Sequence, residues 1–477
     1  MADTAHVPTA EWAAQIESRV AALEAGSAPP DIEEPPDPPV EPTEGVQAKR
    51  VCDLCERLGI NTFSSMDAGS NVWGSWPSDY SPASVIDALR YVVGDSGHTI
   101  SVREYHYSAR ESMQAQWFKE ITKAFPQQRN TICPGANAGT SDVPSMLRLA
   151  NDQAHCIRYV EGLNEPNTNF GSGEVPYSTT QAIQDRVWAG RGSSLTVMGP
   201  SIVGGMPNPG GWVTSYCGSQ ANLDKLNAAM VLGNGHYYPP QCPDLPGQGT
   251  SVNDYVGSLW TTYARHDISL TEFHPSLYNN QGNAPKGAGV GQASIPPWEG
   301  APPVATQYAW SGERDAYYTL LTLLRCAQNG THSVWWYALY DYGTVYTCGL
   351  FPKSHASSPR PAATALRNLF AICHDRSDSY RTFQPGKLDV SVSGLTDVMA
   401  FDVYQASDRR YLVPIWYAAQ EHQQGQTVSI EVAFQTEKRR LSIYDPMIGA
   451  EPVDVLDHTM RAVVDMRPGV AVLQVEV

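Results

Sequence analysis

The run at 157–167, Ile-Arg-Tyr-Val-Glu-Gly-Leu-Asn-Glu-Pro-Asn, is an apolar stretch that stops abruptly in a polar turn. A second such ending lies about a hundred residues later, at 268–275, Ile-Ser-Leu-Thr-Glu-Phe-His-Pro. Both belong to a longer pattern. From about residue 48 to 372 short apolar runs alternate with amphipathic helical stretches, and strands alternating with helices imply a parallel sheet. Strands are expected at 61–66, 99–104, 131–136, 157–163, 195–199, 230–236, 268–272 and 333–339. Helices are expected between several of them, for instance at 83–93, 111–125 and 313–328. Eight such units make a (β/α)8 barrel, a fold whose functional residues gather at the carboxyl ends of the strands.

The ends of the chain read differently. After residue 375 the helices give way to short alternating runs at 388–392, 398–404, 410–416, 428–432, 439–444 and 471–477, the signature of a small antiparallel β-sandwich. Near the start, Ala13, Ile16, Val20 and Leu23 form the seam of an amphipathic helix that stops at Gly26. Residues 27–47 follow as a spacer rich in proline and acid, unable to pack and self-repelling. The expected organisation is a helix for attachment or self-association (1–26), a linker (27–47), a barrel (48–374) and a sandwich (375–477).

Net charge narrows the partners. At −17, the chain is a poor match for nucleic acid or an anionic membrane surface. A neutral carbohydrate polymer is compatible with it. No run approaches the ~18 apolar residues of a membrane span. The amino terminus has no basic stretch followed by an apolar core, so a cytoplasmic protein or a virion-associated one is expected. Of the 32 basic residues most are arginine, a bias that fits an actinobacterial setting. The nine cysteines form no framework. Cys52 and Cys55 lie in a helical stretch without a second pair, so no metal or other cofactor is expected, and Cys217 with Cys242 is a candidate disulfide.

Two glutamates, each at the mouth of a strand, are what glycoside hydrolysis requires: one protonates the leaving oxygen while the other faces the anomeric carbon. Glu165 and Glu272 are the candidates. Asp267 starts its strand rather than ending it, and Glu299 sits in a Gly/Pro loop. Arg103 falls where a strand ends and is costly to bury without a carboxylate partner. Trp73, Trp76 and Tyr80 in a Gly/Ser-rich loop offer flat faces to sugar rings. Trp298 does the same in a long Gly/Pro-rich loop at 279–308. His106, Asn137 and His274 sit just past strand ends.

The order and spacing of these motifs resemble the retaining clan-A glycoside hydrolases, with family 39-type enzymes the most similar group. The resemblance covers residues 48–477 and implies specific roles. Asn164-Glu165 matches the clan's Asn-Glu at the fourth strand, making Glu165 the acid/base and Asn164 a hydrogen-bond donor to the sugar hydroxyl beside the anomeric carbon. Glu272 matches the nucleophile closing the seventh strand, and Arg103 the arginine that keeps it ionised. His236-Tyr237-Tyr238 matches His-x-Tyr, with Tyr238 donating to Glu272 and His236 near the sugar. Trp335 and Trp336 match the aromatic platform, one on each face of the last strand.

Two functions follow as alternatives. The first is a retaining glycosidase acting on a polysaccharide or its oligosaccharides, an actinobacterial cell-wall arabinan being one candidate. The second is a virion or cell-surface glycan recognition protein, such as a phage minor tail protein, attached through residues 9–25. An incidental tail on a cytoplasmic oligosaccharide-processing enzyme is the third reading of the same segment.

Overall fold

The computed structural model describes residues 45–62, 81–135, 140–167, 174–202, 208–238, 251–274, 312–340, 349–352, 358–418 and 427–477. The amphipathic helix expected at 9–25, most of the acidic linker, and Trp73, Trp76, Tyr80, Asn137, Cys242 and Trp298 lie outside these residues.

Eight parallel strands follow one another around a ring: β1 (Leu58–Asn61), β2 (Ser101–His106), β3 (Asn130–Pro134), β4 (Ile157–Val160), β5 (Thr196–Val197), β6 (Gly233–Tyr237), β7 (Ile268–Phe273) and β8 (Ser333–Trp336). Every neighbour from β1 to β5, and from β6 through β8 back to β1, is paired in parallel register. The remaining gap closes through parallel bridges Met198–Leu232 and Ile202–Gly235. The fold is therefore a (β/α)8 barrel. Seven of the strands begin and end within a few residues of the positions read from the sequence, whereas β1 ends at Asn61, where the expected 61–66 begins. One difference matters: β2 continues past Glu104 to His106, so Arg103 sits mid-strand with Tyr105 above it on the same face.

Helices cover the outside because each carries one apolar stripe. In α1 (Pro82–Val93), Ser81 caps by accepting from Ser84 N–H, Pro82 takes the first helical position, and Val85, Ala88, Leu89, Val92 and Val93 are buried. Gly94 then ends it with a φ of 52°. The outer layer continues with α2 (Glu111–Ala124), α3 (Val143–Asp152), α4 (Tyr177–Gly190), α5 (Pro209–Cys217), α6 (Gln220–Asn227), α7 (Val252–Thr262), α8 (Gly312–Gln328) and α9 (Pro361–Ile372). Among the described residues no helix is long and apolar enough to cross a membrane.

The lumen is filled, not open. Tyr159, Met198 and Leu232 form an apolar cluster inside it. The Trp335 indole lies across the backbone of Gly59 on the paired strand, where a Cβ would stand 2.0 Å from Cε3, so only glycine fits.

Beyond α9 lies a sandwich of antiparallel strands, β9 (Lys387–Leu388), β10 (Val390–Ser393), β11 (Met399–Phe401), β12 (Tyr404–Gln405), β13 (Tyr411–Tyr417), β14 (Val428–Tyr444), β15 (Asp454–Met466) and β16 (Gly469–Glu476). Its own core centres on residues such as Val413, Ile415, Val432, Leu441 and Leu473. The chain enters through this domain: Val46–Gln47 pairs with β9 and Lys49–Arg50 with β12. Lys49 also donates to the Ala327 and Gln328 carbonyls at the end of α8, at 2.9 and 3.1 Å, tying barrel to sandwich.

Candidate active site

Buried charge concentrates at the carboxyl end of the barrel. Arg103, 1% exposed, projects inward from β2 among groups supplied by three other barrel segments: β1, the turn after β4, and β7. Its Nε and one Nη2 hydrogen go to the two oxygens of Glu161, at 2.7 and 3.0 Å. The other Nη2 hydrogen reaches Asn164 Oδ1 at 2.8 Å. Nη1 donates to Asn61 Oδ1 at 2.8 Å and to Glu272 Oε1 at 2.7 Å. An arginine buried this deeply is tolerable because each N–H has an acceptor and two of the acceptors are anionic.

Glu272, 3% exposed, ends β7. Besides Arg103 it accepts from the Tyr105 hydroxyl at 2.8 Å and, through Oε2, from the Tyr238 hydroxyl. Glu165 follows the turn after β4 with a φ of 46°, a left-handed conformation uncommon for glutamate. Its backbone N–H donates to the Ser201 carbonyl at 3.0 Å, which fixes that turn against the end of the neighbouring strand. The His236 imidazole stands between the two acids: Nδ1 is 2.5 Å from Glu165 Oε1 and 3.4 Å from Glu272 Oε2. Tyr255 of α7 holds this segment by donating to the His236 carbonyl. Ligand-type atoms of Glu165, His236 and Glu272 all lie within 4.8 Å of one another.

The two acids are both buried yet pulled in opposite directions. Burial pushes the Glu165 carboxyl above the usual carboxylate range, and the Glu272 charge adds to it, against the pull of His236. Burial acts on Glu272 too. There the charges of His236 and Arg103 and the hydroxyls of Tyr238 and Tyr105 outweigh it and hold the carboxyl below its ordinary value. Burial and the Glu272 anion raise both tyrosines well above their normal range, so they remain donors. A carboxyl raised beside one that is lowered is the divergence that an acid/base pair needs.

Asn164 has its carbonyl oxygen engaged by Arg103 and, at 3.2 Å, by Ser201 Oγ. Its amide N–H groups are therefore the ones left for a ligand. Thus Glu165, Glu272, Asn164, Arg103, His236 and Tyr238, scattered over 170 residues of sequence, meet at one point.

The aromatic platform does not fall where the sequence pointed. Trp335 and Trp336 are 2% and 1% exposed and cannot touch a sugar. Trp335 fills the lumen beneath the site, donating to Ser333 Oγ at 2.9 Å. Trp336 packs outward against Phe273, 5.6 Å between centroids. His274 follows Trp336 outward, its ring 4.8 Å away, and so does not line the cleft. His106 likewise turns toward α3, its Nε2 2.6 Å from Ser145 Oγ. Among the described residues of this segment, Tyr337 is the ring turned to the site, half-buried and edge-on to Tyr238 at 6.2 Å. Tyr105, Asn61, Glu161 and Tyr337 were not singled out by sequence. The available signals were modest: Tyr105 is two residues past Arg103, and Glu161 is a charge set in an otherwise apolar run.

Elsewhere, Cys217 is buried with a free thiol, and Cys52 and Cys55 are likewise free and buried. Burial first, then the charges of Asp53 and Glu56, drives the Cys52 thiol far above its normal range.

Residues 103–337 match the family model described as the glycosyl hydrolase catalytic core. The match begins at Arg103 and ends at Tyr337, spanning both acids. No curated protein matches the sequence. Among solved structures, a GH30 endoxylanase from Clostridium papyrosolvens C71 aligns with a TM-score of 0.52 at 11% identity, over 91% of this chain and 98% of that one. SrfJ from Salmonella typhimurium aligns at 0.47 and 10% identity, over 90% of each chain. At such identity the endoxylanase likeness concerns the fold, barrel and sandwich together.

Proposed function

We propose that this protein is a retaining glycoside hydrolase that cleaves a polysaccharide or its oligosaccharides by double displacement. The observation that carries the reading is the pair of opposed carboxyls: Glu165 raised and Glu272 lowered, across one imidazole, with oxygens within 4.8 Å of each other. Retaining enzymes hold their two carboxyls about 5–5.5 Å apart, whereas inverting ones need ~6.5–9.5 Å to admit a water.

In the first step the Glu272 carboxylate attacks the anomeric carbon as Glu165 passes its proton to the departing oxygen. In the second, Glu165, now ionised, takes a proton from water, which attacks the anomeric carbon and releases Glu272. Arg103, Tyr105 and Tyr238 keep Glu272 anionic between turnovers. Asn164 donates to the hydroxyl beside the anomeric carbon, a contact that strengthens as positive charge develops on the ring. Tyr337 supplies the apolar face beneath the sugar. His236 passes between the acids the electrostatic information that one has changed charge. The substrate is a neutral glycan in keeping with the charge of −17, with actinobacterial wall arabinans leading the candidates on the arginine bias alone.

The test is hydrolysis by the wild type, Glu165→Ala and Glu272→Ala over wall arabinans and galactans, xylan, mannan and aryl glycosides, with the first-formed anomer followed by NMR. Release with retained configuration, lost in both variants, is the expected result. Release with inversion overturns the double displacement. A glycan bound but not cleaved makes the barrel a recognition module.

A further inference from the structure

Glu161 is a carboxylate that the displacement scheme leaves without a task, though it is wholly buried at the heart of the site. It lies on the far side of Arg103 from Glu272. Both its oxygens grip the guanidinium, and Asn234 Nδ2 donates to Oε2 at 3.1 Å. Asn234 is itself oriented by the Thr271 hydroxyl, which donates to its Oδ1 at 2.7 Å, and by the Gly199 carbonyl, 3.2 Å from Nδ2.

A guanidinium has five N–H groups in one plane. Glu161 takes two, Asn61 and Asn164 one each, and Glu272 the last. With the Nε–Nη2 edge clamped by a bidentate carboxylate, the plane has one orientation left. That orientation aims Nη1 at Glu272 and the free Nη2 hydrogen at Asn164. Were Glu161 only a counter-ion for a buried cation, a single contact anywhere on the guanidinium would suffice.

We infer that Glu161 is a positioning residue: its fork with Arg103 sets the direction of the hydrogen bonds to Glu272 and Asn164, and its charge limits how strongly Arg103 holds Glu272 ionised. The second part has a chemical consequence. A nucleophile stabilised too far by a naked arginine attacks poorly, and a buried negative charge behind the guanidinium moderates that hold. The inference rests on reading Glu272 as the nucleophile.

Several groups face these two acids. Around Glu272 stand Arg103 and Tyr105 of β2, Cys133 of β3, Glu165 after β4, and His236 and Tyr238 of β6. Around Glu161 stand Arg103, Cys133 and Asn234. Removing the Glu161 charge takes a like charge away from Glu272, so the Glu272 midpoint must fall.

The experiment is a 13C NMR titration of the full chain labelled at the glutamate carboxyl carbon, with the Glu272 signal assigned by its loss in Glu272→Gln. Glu161→Gln is expected to lower the Glu272 midpoint by about one pH unit, the scale of one neighbouring charge. Glu161→Asp withdraws the charge by one methylene and is expected to lower it by about 0.3 unit. It carries the test if the glutamine variant does not fold. Loss of thermal stability with an unmoved midpoint overturns the inference and leaves Glu161 a counter-ion. On a substrate that is cleaved, the acid limb of kcat/KM should move by the same amount. A shifted titration in a protein that cleaves nothing would sink the hydrolytic reading while keeping the Glu161–Glu272 link.

Discussion

Two parts of this molecule bury a cation against a carboxylate, and only one of them is built for chemistry. In the sandwich, Lys438, 3% exposed, donates to Asp389 at the irregularity in the β14–β15 pairing, and Asp389 also accepts from the Thr436 N–H and hydroxyl. Burial pushes the Asp389 carboxyl up, but Lys438 and Thr436 outweigh it and hold it below its usual value. In the barrel, Glu272 is lowered by the same kind of balance. A depressed carboxylate is therefore no mark of function by itself. What differs is the neighbour. Asp389 closes a small circuit with Lys438 and Thr436, whereas Glu272 shares its cation with Glu161 and faces a second carboxyl driven the other way. Divergence between two acids, not displacement of one, distinguishes a site from a staple.

The largest separation between the two regions should come from removing each carboxylate. Glu272→Ala is expected to lower turnover on the order of 10⁴-fold or more, the scale seen when a covalent nucleophile is lost, while the protein stays folded. Kinetics on a cleavable aryl glycoside, with circular dichroism as control, reads this out. A comparable residual rate would point to another nucleophile.

Next comes the acid. Glu165→Gln should cost about 10²–10⁴-fold on substrates with poor leaving groups and far less on activated aryl glycosides, which depart without a proton. The pH profile carries the sign. Activity needs Glu272 ionised and Glu165 protonated, so it falls as pH drops through the lowered Glu272 value and again as pH rises through the raised Glu165 value. The basic limb should vanish in Glu165→Gln on activated substrates. Its persistence would assign the limb to some other group.

The sandwich pair predicts the converse. Asp389→Ala strands a buried lysine and should cost about 3 kcal/mol of stability, measured by denaturant unfolding, with kcat per folded molecule unchanged. Because its folded value is lowered, the stability Asp389 contributes is present above the unfolded aspartate pKa and is lost as pH falls through the folded one. A variant with normal stability and reduced activity would break the comparison outright.

The smallest effect tests the half-buried aromatic at the site. Tyr337→Ala should raise KM about tenfold, in keeping with the loss of one ring contact. The same change at Trp335 should instead cost about 3–5 kcal/mol in stability through the cavity it leaves.

Much of the fold was readable because its signals are local. Apolar runs closed by Asn-Glu-Pro or by Glu-Phe-His announce a strand and its end within ten residues, and Ser81-Pro82 announces a helix. In the sandwich, residues 428–432 and 439–444 look like two strands. They form one, Val428–Tyr444, because the exposed polar residues between them, Gln435, Thr436 and Glu437, are carried on an irregular stretch of an otherwise continuous strand. Asp454–Met466 escaped notice for a related reason: its first half is largely exposed on both faces, so no alternation appears.

The sequence by itself determined the barrel, the sandwich and the two strand-terminal glutamates, since each depends on spacing over a few residues. Tertiary structure alone decided which side of β8 each tryptophan takes, that Tyr337 rather than either of them reaches the site, and that Glu161 stands behind Arg103. Those facts depend on contacts 58 residues apart for Arg103 with Glu161 and 169 for Arg103 with Glu272. They arise only when the ring closes and brings alternate residues of different strands to one level, an arrangement that local periodicity does not encode.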